Sequence, residues 1–245
     1  MKLSIIILNF NTSNITKQCI ESIPNLQFKY EIILIDNNSS DNITQLKKSH
    51  ENLEFIRMKK NTMFARGNNI GFSKSQGEYI MLLGSDTKII GDAVEQLIHF
   101  LDTNKEYNIV APQLLNKDGS IQPSCRSLPT LWNIITDRLG ISNEYKLKNW
   151  NHDNSQEVEQ PQATCILIRR KIIEKYGLFD ERFPLYFNDV DFFKKLSVNH
   201  MKTYYLVSAK IIHYYGKSTK TLGLIKRKYL LYQGYFRYIR KWGVN

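Results

Sequence analysis

The acid Asp86 is the first residue whose position in the sequence suggests a chemical role. It follows Tyr79–Leu83, an unbroken apolar run of strand length, and the dipeptide Gly84-Ser85 that ends this run. Open α/β sheets bind ligands at the carboxyl ends of their strands, which is where this acid is predicted to lie. A carboxylate there can hold a hard divalent cation, and the cation can hold a diphosphate. This run alone favours an ordinary turn aspartate, and the flanking chain provides the case for a metal ligand.

A second pair of acids, Asp189 and Asp191, follows the aromatic run FDERFPLYFN. Asn188 is predicted to be the N-cap of a helix that reaches about Val198, which places both acids in the first helical turn. The helix dipole keeps acids there ionised, so one of them can serve as a general base, although simple helix capping explains them too. His213 ends the last predicted strand, where an imidazole either binds a metal or bonds to backbone.

Strands and helices alternate through the first half of the chain. Strands are predicted at Ser4–Leu8, Glu31–Ile35, Leu53–Met58, Tyr79–Leu83 and Ile109–Ala111. Helices are predicted to begin at Ser13, at Ser40 or Asp41, within 61–75 and at Asp92. This alternation indicates βαβ units and therefore a Rossmann-like α/β fold with a mostly parallel central sheet. The G-x-G-x-x-G and Gly-Lys-Ser/Thr phosphate loops are missing, which argues against dinucleotide enzymes and NTPases.

The pattern changes after Pro112. A hairpin turn is predicted at Lys117-Asp118-Gly119, and the polar stretch Ser124–Gln160 is predicted to form loops and short helices. The remaining elements are predicted to be a strand at Ala163–Ile168, a helix at Arg170–Tyr176 ended by Gly177, a strand at Thr203–Val207 and a further apolar segment at Ile211–His213.

Composition limits the class of protein. The 245 residues include 42% apolar and 23% charged residues, as is ordinary for a soluble protein. No apolar run approaches the roughly 18 residues of a membrane span, and the apolar stretch at the start is too short for a signal peptide. Cys19, Cys125 and Cys165 are far apart without metal-ligand spacing, which favours free thiols. We therefore expect a cytosolic protein.

Eight motifs, in the order in which they occur, resemble those of family 2 glycosyltransferases of the rhamnosyltransferase-like kind. They extend from about Leu3 to Ser218 and read ILNFN, IDNNSSD, NTMFARGNNIGF, LLGSDT, DGSIQPSCRSLPT, ILIRR, FDERFPLYFNDVDF and IIHYYGKS. The resemblance implies the GT-A fold, one αβα domain over residues 1–218 with a nucleotide-sugar half (1–112) and an acceptor half (113–218). It also implies inverting transfer of a sugar from a nucleotide donor.

The resemblance implies a role for each candidate residue. Asp86 would hold a Mg²⁺ or Mn²⁺ ion that bridges the donor phosphates, and His213 would give this ion a second contact. Asp189 would be the base that takes the proton of the acceptor hydroxyl, and Asp191 would support it by orienting the helix or neighbouring basic groups. The nucleotide-sugar contacts are expected at Asn11, Asp36, Asn61, Arg66, Asn68 and Ser85. Turn chemistry is the alternative for the Asn and Asp residues in this set.

Four positions depart from the family pattern. Gly84 stands where Asp-x-Asp has its first acid, Asn188 stands where a Glu precedes the base, and Met63 and Gln162 stand where glycine is common. The sequence predicts an inverting glycosyltransferase that builds a surface or cell-wall glycan from a UDP-, dTDP- or GDP-sugar on a glycan or lipid-linked acceptor. The missing acid motivates a non-catalytic glycan-binding or scaffold domain as the alternative. A sugar-phosphate nucleotidyltransferase needs a glycine-rich basic loop, which Asn9–Ser13 is not.

The net charge of +11 lies almost entirely near the C-terminus. Phe192–Asn245 contains 12 basic residues and no acidic one, while the remaining chain has 22 basic and 23 acidic residues. The tail 219–245 contains Ile225–Trp242, a basic aromatic run of helical length. It is predicted either to pack on the domain with its charges in solvent or to dock on an anionic membrane surface, making the protein peripheral at the inner face. Nucleic acid and oligomer contacts are the least favoured alternatives.

Overall fold

The computed structural model describes residues 1–48, 50–130, 150–214 and 223–243 of the chain. The strands are β1 (Leu3–Asn9), β2 (Tyr30–Asp36), β3 (Leu53–Arg57), β4 (Tyr79–Gly84), β5 (Thr87–Ile90), β6 (Tyr107–Leu115), β7 (Cys125–Arg126), β8 (Gln156–Glu157), β9 (Gln160–Pro161), β10 (Cys165–Arg169) and β11 (Lys202–His213). The α-helices are α1 (Ser13–Glu21), α2 (Met63–Lys74), α3 (Ala93–Thr103), α4 (Arg170–Tyr176), α5 (Asn188–Ser197) and α6 (Leu224–Trp242).

One sheet dominates the described part of the chain. Its order is β3-β2-β1-β4-β10-β6-β11-β5, with β8 paired to β11, while β7 and β9 form a separate pair. Strands β3, β2, β1 and β4 are parallel, as are β6 and β11, whereas β10 and β5 run antiparallel to their neighbours. The apolar runs of β1, β2 and β4 are buried on both faces, because helices cover the sheet on either side.

Two hydrophobic clusters lie on opposite faces of this sheet. One includes Cys19 and Ile20 of α1 and Leu97 of α3, and the other includes Ile172 of α4 and Phe192 of α5. The predicted α/β class, a Rossmann-like αβα sandwich with parallel strands at its core, is therefore confirmed. The basic C-terminal helix is confirmed as α6, and the three cysteines are buried free thiols, as predicted.

Some predicted elements differ from the observed ones. The helix expected after Ser40 or Asp41 is wrong: the segment forms only a short 3₁₀ turn at Thr44–Lys48. Asp41, one of the two residues expected to cap that helix, caps α1 instead: its carboxylate accepts the backbone N–H of Ser13 at 2.7 Å. Strand β5 was not expected, and the segments 203–207 and 211–213 form one strand, β11, with a register shift between Leu206 and Lys210.

Two boundaries also move. Strand β6 runs through residue 112, so the two halves expected to meet there share one sheet. Asn188 is the first residue of α5 and not its N-cap, a position taken by Phe187 with a left-handed φ of 65°. Asp189 and Asp191 nonetheless lie in the first turn, as predicted. The loops expected at Ser124–Gln160 contain β7 and β8, and residues 131–149 of that stretch lie outside the described part of the chain.

Gly77 lets the chain entering β4 touch β1. A Cβ atom built there would meet the backbone N of Ser4 and lie 2.6 Å from the carbonyl carbon of Leu3. Backbone atoms of a central strand cannot yield, so Gly77→Ala is expected to lower the free energy of unfolding by about 3 kcal/mol. Urea denaturation measures this change. Gly223→Ala is the control, because no atom lies within 4 Å of its added Cβ. Equal stability losses in the two variants would contradict the prediction.

Candidate active site

A buried polar network lies where β1 and β2 end. Asn9 donates from Nδ2 to Ser39 Oγ at 2.8 Å and to Asp36 Oδ1 at 3.3 Å. Its Oδ1 accepts the hydroxyl protons of Thr12 at 3.0 Å and Thr16 at 2.7 Å. The sequence analysis did not single out Asn9, although it ends the first strand within the ILNFN motif. This network fixes the loops that follow β1 and β2.

Asp36 is a fully buried carboxylate with unused bonding capacity. Its Oδ1 accepts Asn9 Nδ2 and the backbone N–H of Ser39, whereas its Oδ2 has no hydrogen bond. The Arg57 Nε atom lies 3.5 Å from this Oδ2 and balances its charge. A buried acceptor left without a donor is costly, so this oxygen is suited to an N–H group of a ligand. Asp36 therefore lies where the sequence placed a nucleoside contact.

The other expected nucleotide contacts have different surroundings. Asn11 Oδ1 accepts the backbone N–H of Ser40 at 2.7 Å, and Asn61 Oδ1 accepts Asn37 Nδ2 at 2.9 Å, so both asparagines shape loops beside Asp36. Ser85 is buried, with its Oγ 3.3 Å from that of Thr12, and therefore joins the polar network.

Two expected contacts lie on helix α2. Asn68 is buried and donates to the Phe64 carbonyl within the helix, at 2.9 Å. Arg66 is exposed, and its guanidinium lies 3.8 Å from Glu181. The structure therefore gives Asn68 a bond inside its own helix and places Arg66 on the surface beside the acceptor half.

Asp86 and His213 lie face to face at the ends of β4 and β11. His213 Nε2 is 3.5 Å from Asp86 Oδ1, and both side chains are buried. Gln122 donates from Nε2 to Asn116 Oδ1 at 2.8 Å, so its Oε1 faces His213 Nδ1 at 2.6 Å. The imidazole therefore donates from Nδ1 to Gln122 and turns Nε2 toward the carboxylate, the orientation that metal-binding histidines use.

The distance between these two atoms suits a divalent cation. Two bonds of about 2.1 Å at an angle of about 90–110° place their ligand atoms about 3.0–3.5 Å apart. Within the described residues, no group of three or more His, Cys, Asp or Glu side chains is arranged to hold a metal. The protein therefore offers one carboxylate and one imidazole, and the remaining ligands of a Mg²⁺ or Mn²⁺ ion would be phosphate oxygens and water.

Asp189 is a half-buried carboxylate in the first turn of α5. Its Oδ1 accepts the backbone N–H of Val190 at 2.9 Å, and its Oδ2 accepts Gln160 Nε2 at 3.4 Å. Burial raises the pKa of Asp189 above its ordinary value, against the opposing effects of the Val190 N–H and the charge of Arg126. A raised pKa makes a carboxylate a better proton acceptor, which is the property that a general base needs.

Adjacent residues connect Asp189 to the strand that carries Asp86. The Thr164 carbonyl accepts the backbone N–H of Gly84 at 2.7 Å, and the backbone of Ala163 bonds to the Asp189 carboxylate. Ala163 and Thr164 are neighbours, with Cα atoms about 3.8 Å apart. This one dipeptide therefore contacts both the Gly84 backbone and the Asp189 carboxylate. The structure thus links the end of the strand that precedes Asp86 to the helix that carries Asp189 through the dipeptide Ala163–Thr164.

The strand ends that carry Asp36 and Asp86 lie in a region that matches a known protein family. The model of glycosyl transferase family 2 matches residues 4–177, well over half of the chain. The chain belongs to glycosyl transferase family 2. The match includes the β4 end with Asp86 and stops before Asp189 and His213, so the structure alone connects those two residues to the family region.

Relatives of this family 2 chain act on glycans. It is 25% identical over 194 residues to the low-salt glycan biosynthesis hexosyltransferase Agl10 of Haloferax volcanii, covering 78% of this chain and 60% of that protein. It is also 25% identical over 220 residues to N-acetylglucosaminyl-diphospho-decaprenol L-rhamnosyltransferase of Mycobacterium tuberculosis, covering 77% of this chain and 67% of the relative. The chain thus spans about two thirds or less of the length of these two relatives.

The fold of this family 2 chain is shared by solved structures. The crystal structure of GalNAc-T7 with UDP, GalNAc and Mn²⁺ superposes with a TM-score of 0.66, at 15% identity, over 89% of this chain and 44% of that one. This likeness supports the GT-A fold predicted from the sequence motifs, which is thereby confirmed.

Asp191 joins helix α5 to the C-terminal helix of this family 2 chain. It is fully buried and accepts Lys241 Nζ and Trp242 Nε1, each at 2.8 Å. Lys241 Nζ also donates to Asp180 at 2.8 Å. Hydrogen bonds from Arg182 and then from Lys241 hold the pKa of Asp180 well below its ordinary value. The basic groups that Asp191 was expected to orient are therefore those of α6.

Two bulky residues with left-handed backbones lie at the starts of α2 and α5. Met63 has a φ of 64° and Phe187 a φ of 65°, values that favour glycine. This explains why glycine is common at the position of Met63. Phe187 is held by packing against Gly234 and Tyr235 of α6, so the conformation that starts the Asp189 helix depends on α6.

Gln122 is a candidate functional residue, because it contacts His213, and the sequence analysis quoted it within a motif without singling it out. Gln122→Met removes the acceptor of the His213 Nδ1 proton, so the affinity for Mn²⁺ measured by calorimetry with UDP present is expected to fall about 10- to 100-fold. Gln122→Glu keeps an acceptor and should retain the affinity. Gln96→Met, which removes an amide bonded to Asp92 on α3, is the matched control. Equal affinities in Gln122→Met and the control would exclude this role.

Proposed function

We propose that this chain transfers a hexosyl or deoxyhexosyl group, with inversion, from a nucleotide-sugar to a hydroxyl of a glycan or lipid-linked acceptor. The observation that carries the proposal is the pairing of Asp86 with His213 beside a base, Asp189, that the Ala163–Thr164 dipeptide connects to the same strand. Residues 1–112 would bind the donor and 113–218 would bind the acceptor. Membership of the family and the acceptors in the relatives' names support the proposal.

The buried polar site at Asp36 favours a pyrimidine nucleotide. Uracil and thymine present a single imide N–H between two carbonyl oxygens. Asp36 Oδ2 is one buried acceptor without a hydrogen bond, and the Arg57 guanidinium beside it can donate to a carbonyl oxygen. We therefore propose UDP- or dTDP-sugars ahead of GDP-sugars. The UDP in the GalNAc-T7 structure of the same fold is in keeping with this choice.

Two sets of residues have separate roles in the proposed reaction: one stabilises the leaving diphosphate and the other takes the acceptor proton. Asp86 and His213 would hold a divalent cation, and its positive charge would stabilise the leaving diphosphate. The Asp189 carboxylate accepts the proton of the acceptor hydroxyl while the oxygen attacks the anomeric carbon from the face opposite the diphosphate. Gln160 and the Val190 N–H orient the carboxylate during this transfer. One displacement inverts the anomeric centre.

The acceptor is proposed to be lipid-linked, and the enzyme to act at the cytoplasmic face of a membrane in surface-glycan or cell-wall synthesis. The Mycobacterium tuberculosis relative is named for a diphospho-decaprenol acceptor. In the described part of this chain, none of the helices combines the length and the apolar character required to cross a bilayer.

A donor screen followed by a turnover assay tests the proposed function. We expect UDP or dTDP to raise the Tm with Mn²⁺ present and not without it. Release of nucleoside diphosphate from a UDP- or dTDP-sugar should then require an acceptor such as a polyprenyl diphosphate-linked sugar. Metal-dependent binding without turnover on any acceptor would favour the non-catalytic alternative. Formation of nucleotide-sugar from sugar phosphate and a nucleoside triphosphate would favour a nucleotidyltransferase.

A further inference from the structure

The inner face of helix α6 packs against the rest of the domain. Phe183, Phe187 and Tyr238 form a buried cluster, against which further α6 side chains pack, namely Leu231, Tyr235, Ile239 and Trp242. Gly234 allows a close approach, because a Cβ atom there would lie 3.0 Å from the Phe187 ring. Lys241 and Trp242 add hydrogen bonds to Asp191. The prediction that the tail packs on the domain accounts for this face alone.

The opposite face of α6 presents apolar side chains to solvent. Ile225 is 87% exposed, Tyr229 62%, Tyr232 50% and Phe236 80%. Their spacing of four, three and four residues puts these four side chains, which we call the outer stripe, on one line along the helix. A further exposed residue, Leu224, begins the helix. Such a continuous apolar line on a surface helix marks an interaction site.

The charged residues of α6 beside the outer stripe are all positive. Lys226, Lys228 and Arg240 are exposed next to it, and α6 contains no acidic residue. Acidic residues are absent from the sequence between Phe192 and Asn245. Helices of this kind, with a line of apolar and aromatic residues flanked on both sides by Lys and Arg, lie in the interface of anionic bilayers. Burial of the apolar side chains and attraction of the basic ones to anionic lipids both favour binding.

We propose that the outer stripe of α6 is a docking surface for an anionic lipid bilayer. Ile225, Tyr229, Tyr232 and Phe236 enter the boundary between head groups and acyl chains, and the flanking lysines and arginines contact lipid phosphates. The relevance to a lipid-linked acceptor rests on the proposed function, whereas the docking itself does not. A nucleic acid partner fits less well, because it offers no apolar phase for Ile225 and Phe236.

The two faces of α6 connect this docking surface with the candidate base. Its inner face contacts Asp191 and Phe187, which lie two residues on either side of Asp189. The bilayer and the base helix therefore contact the same rigid helix. This arrangement holds the acceptor half at a fixed orientation to the membrane in which a lipid-linked acceptor is embedded.

Vesicle co-sedimentation of the 245-residue protein tests the proposal without donor or turnover. We expect binding to vesicles in which phosphatidylglycerol replaces part of the phosphatidylcholine, weaker binding at high salt, and little binding to phosphatidylcholine alone. The double variant Ile225→Ser/Phe236→Ser should bind at least about tenfold more weakly, since it removes two apolar anchors. Lys226→Glu/Lys228→Glu should weaken binding by about fivefold or more for each charge changed.

Matched controls separate the stripe from general effects. Val198→Ser removes an exposed apolar residue just after the C-terminal end of α5, and Lys29→Glu/Lys117→Glu makes the same change in net charge at exposed sites elsewhere. Both controls should bind vesicles as the unchanged protein does. Equal binding by stripe and control variants, or equal binding to both kinds of vesicle, would overturn the proposal. So would sedimentation equilibrium showing a dimer that Phe236→Ser dissociates, because a second copy would then cover the stripe.

The outcomes also separate docking from catalysis. A protein that binds anionic vesicles through the outer stripe and turns over no donor keeps the docking surface and refutes the proposed function. A protein that glycosylates a water-soluble acceptor and does not bind the vesicles supports the proposed function and refutes the docking surface.

Discussion

Asp189→Asn is expected to lower kcat about 100- to 10,000-fold and to leave the Tm unchanged or higher. The loss follows from removing the only group proposed to take the acceptor proton, since a positioned base contributes a factor of this size. The amide oxygen of asparagine can still accept the Val190 N–H that the carboxylate accepts at 2.9 Å. The start of α5 should therefore keep its geometry.

The expected gain in stability follows from the sign of the pKa shift. Burial raises the pKa of Asp189 in the folded state, so the folded protein binds this proton more tightly than the unfolded chain does. Stability is then lost as the pH rises from the unfolded pKa, about 3.9, through the folded one, and the whole loss is present at neutral pH. Asparagine carries no charge, so the Asp189→Asn protein does not lose this stability at neutral pH.

Activity and thermal unfolding measured on the same preparation check both parts. The kcat/KM of the unchanged protein should fall on the acid side with an apparent pKa above the ordinary aspartate value, and Asp189→Asn should lack this limb. Asp92→Asn is the matched control, because Asp92 also lies at a helix N-terminus and is exposed. A folded Asp189→Asn protein with unchanged kcat would remove Asp189 from the mechanism.

Asp86→Asn is expected to abolish the metal-dependent part of donor binding. Among the described residues the proposed metal site has one carboxylate and one imidazole, so this change removes its negatively charged ligand. The affinity for Mn²⁺ in the presence of UDP should fall at least about 100-fold, and Mn²⁺ should no longer raise the Tm in the presence of UDP. Isothermal titration of Mn²⁺ into protein with UDP measures the change.

A double-mutant cycle with His213→Ala shows whether the two side chains hold one ion. If they do, Asp86→Asn/His213→Ala should cost little more affinity than either single change, because the ion is already lost. His99→Ala, an exposed histidine on α3, controls for the loss of an imidazole. Additive losses of affinity in the cycle would mean that the two residues act separately, and the shared metal site would be wrong.

The sequence predicted the elements whose signal is local. The apolar run of β4 identified a buried strand with an acid at its end. The helical spacing of apolar residues identified α3, and the length and composition of the basic aromatic run identified α6, both close to their observed bounds. Motif order then identified the family. These signals repeat every two to four residues, so a single sequence contains them.

Long-range contacts explain what the sequence did not reveal. Gln122 reaches His213, which is 91 positions away, because Leu115 and Ile121 form a bridge that turns the chain back at the sheet edge. Asp41 caps α1, which precedes it, and not a helix of its own. No periodic pattern reports which distant group an amide or a carboxylate will bond, since that partner is chosen by the pairing of strands.

Strand β4 has a mechanical consequence, because it pairs with β1 on one side and with β10 on the other. The Asp86 end of β4 and the Ala163–Thr164 backbone that bonds to Asp189 are thereby parts of one hydrogen-bonded ladder. Closing one half of the enzyme over the other like a hinge would break that ladder. We therefore expect loops, and not a movement of the sheet, to exclude water during the proposed transfer. Hydrogen exchange in β4 and β10 should then stay slow whether or not a donor is bound.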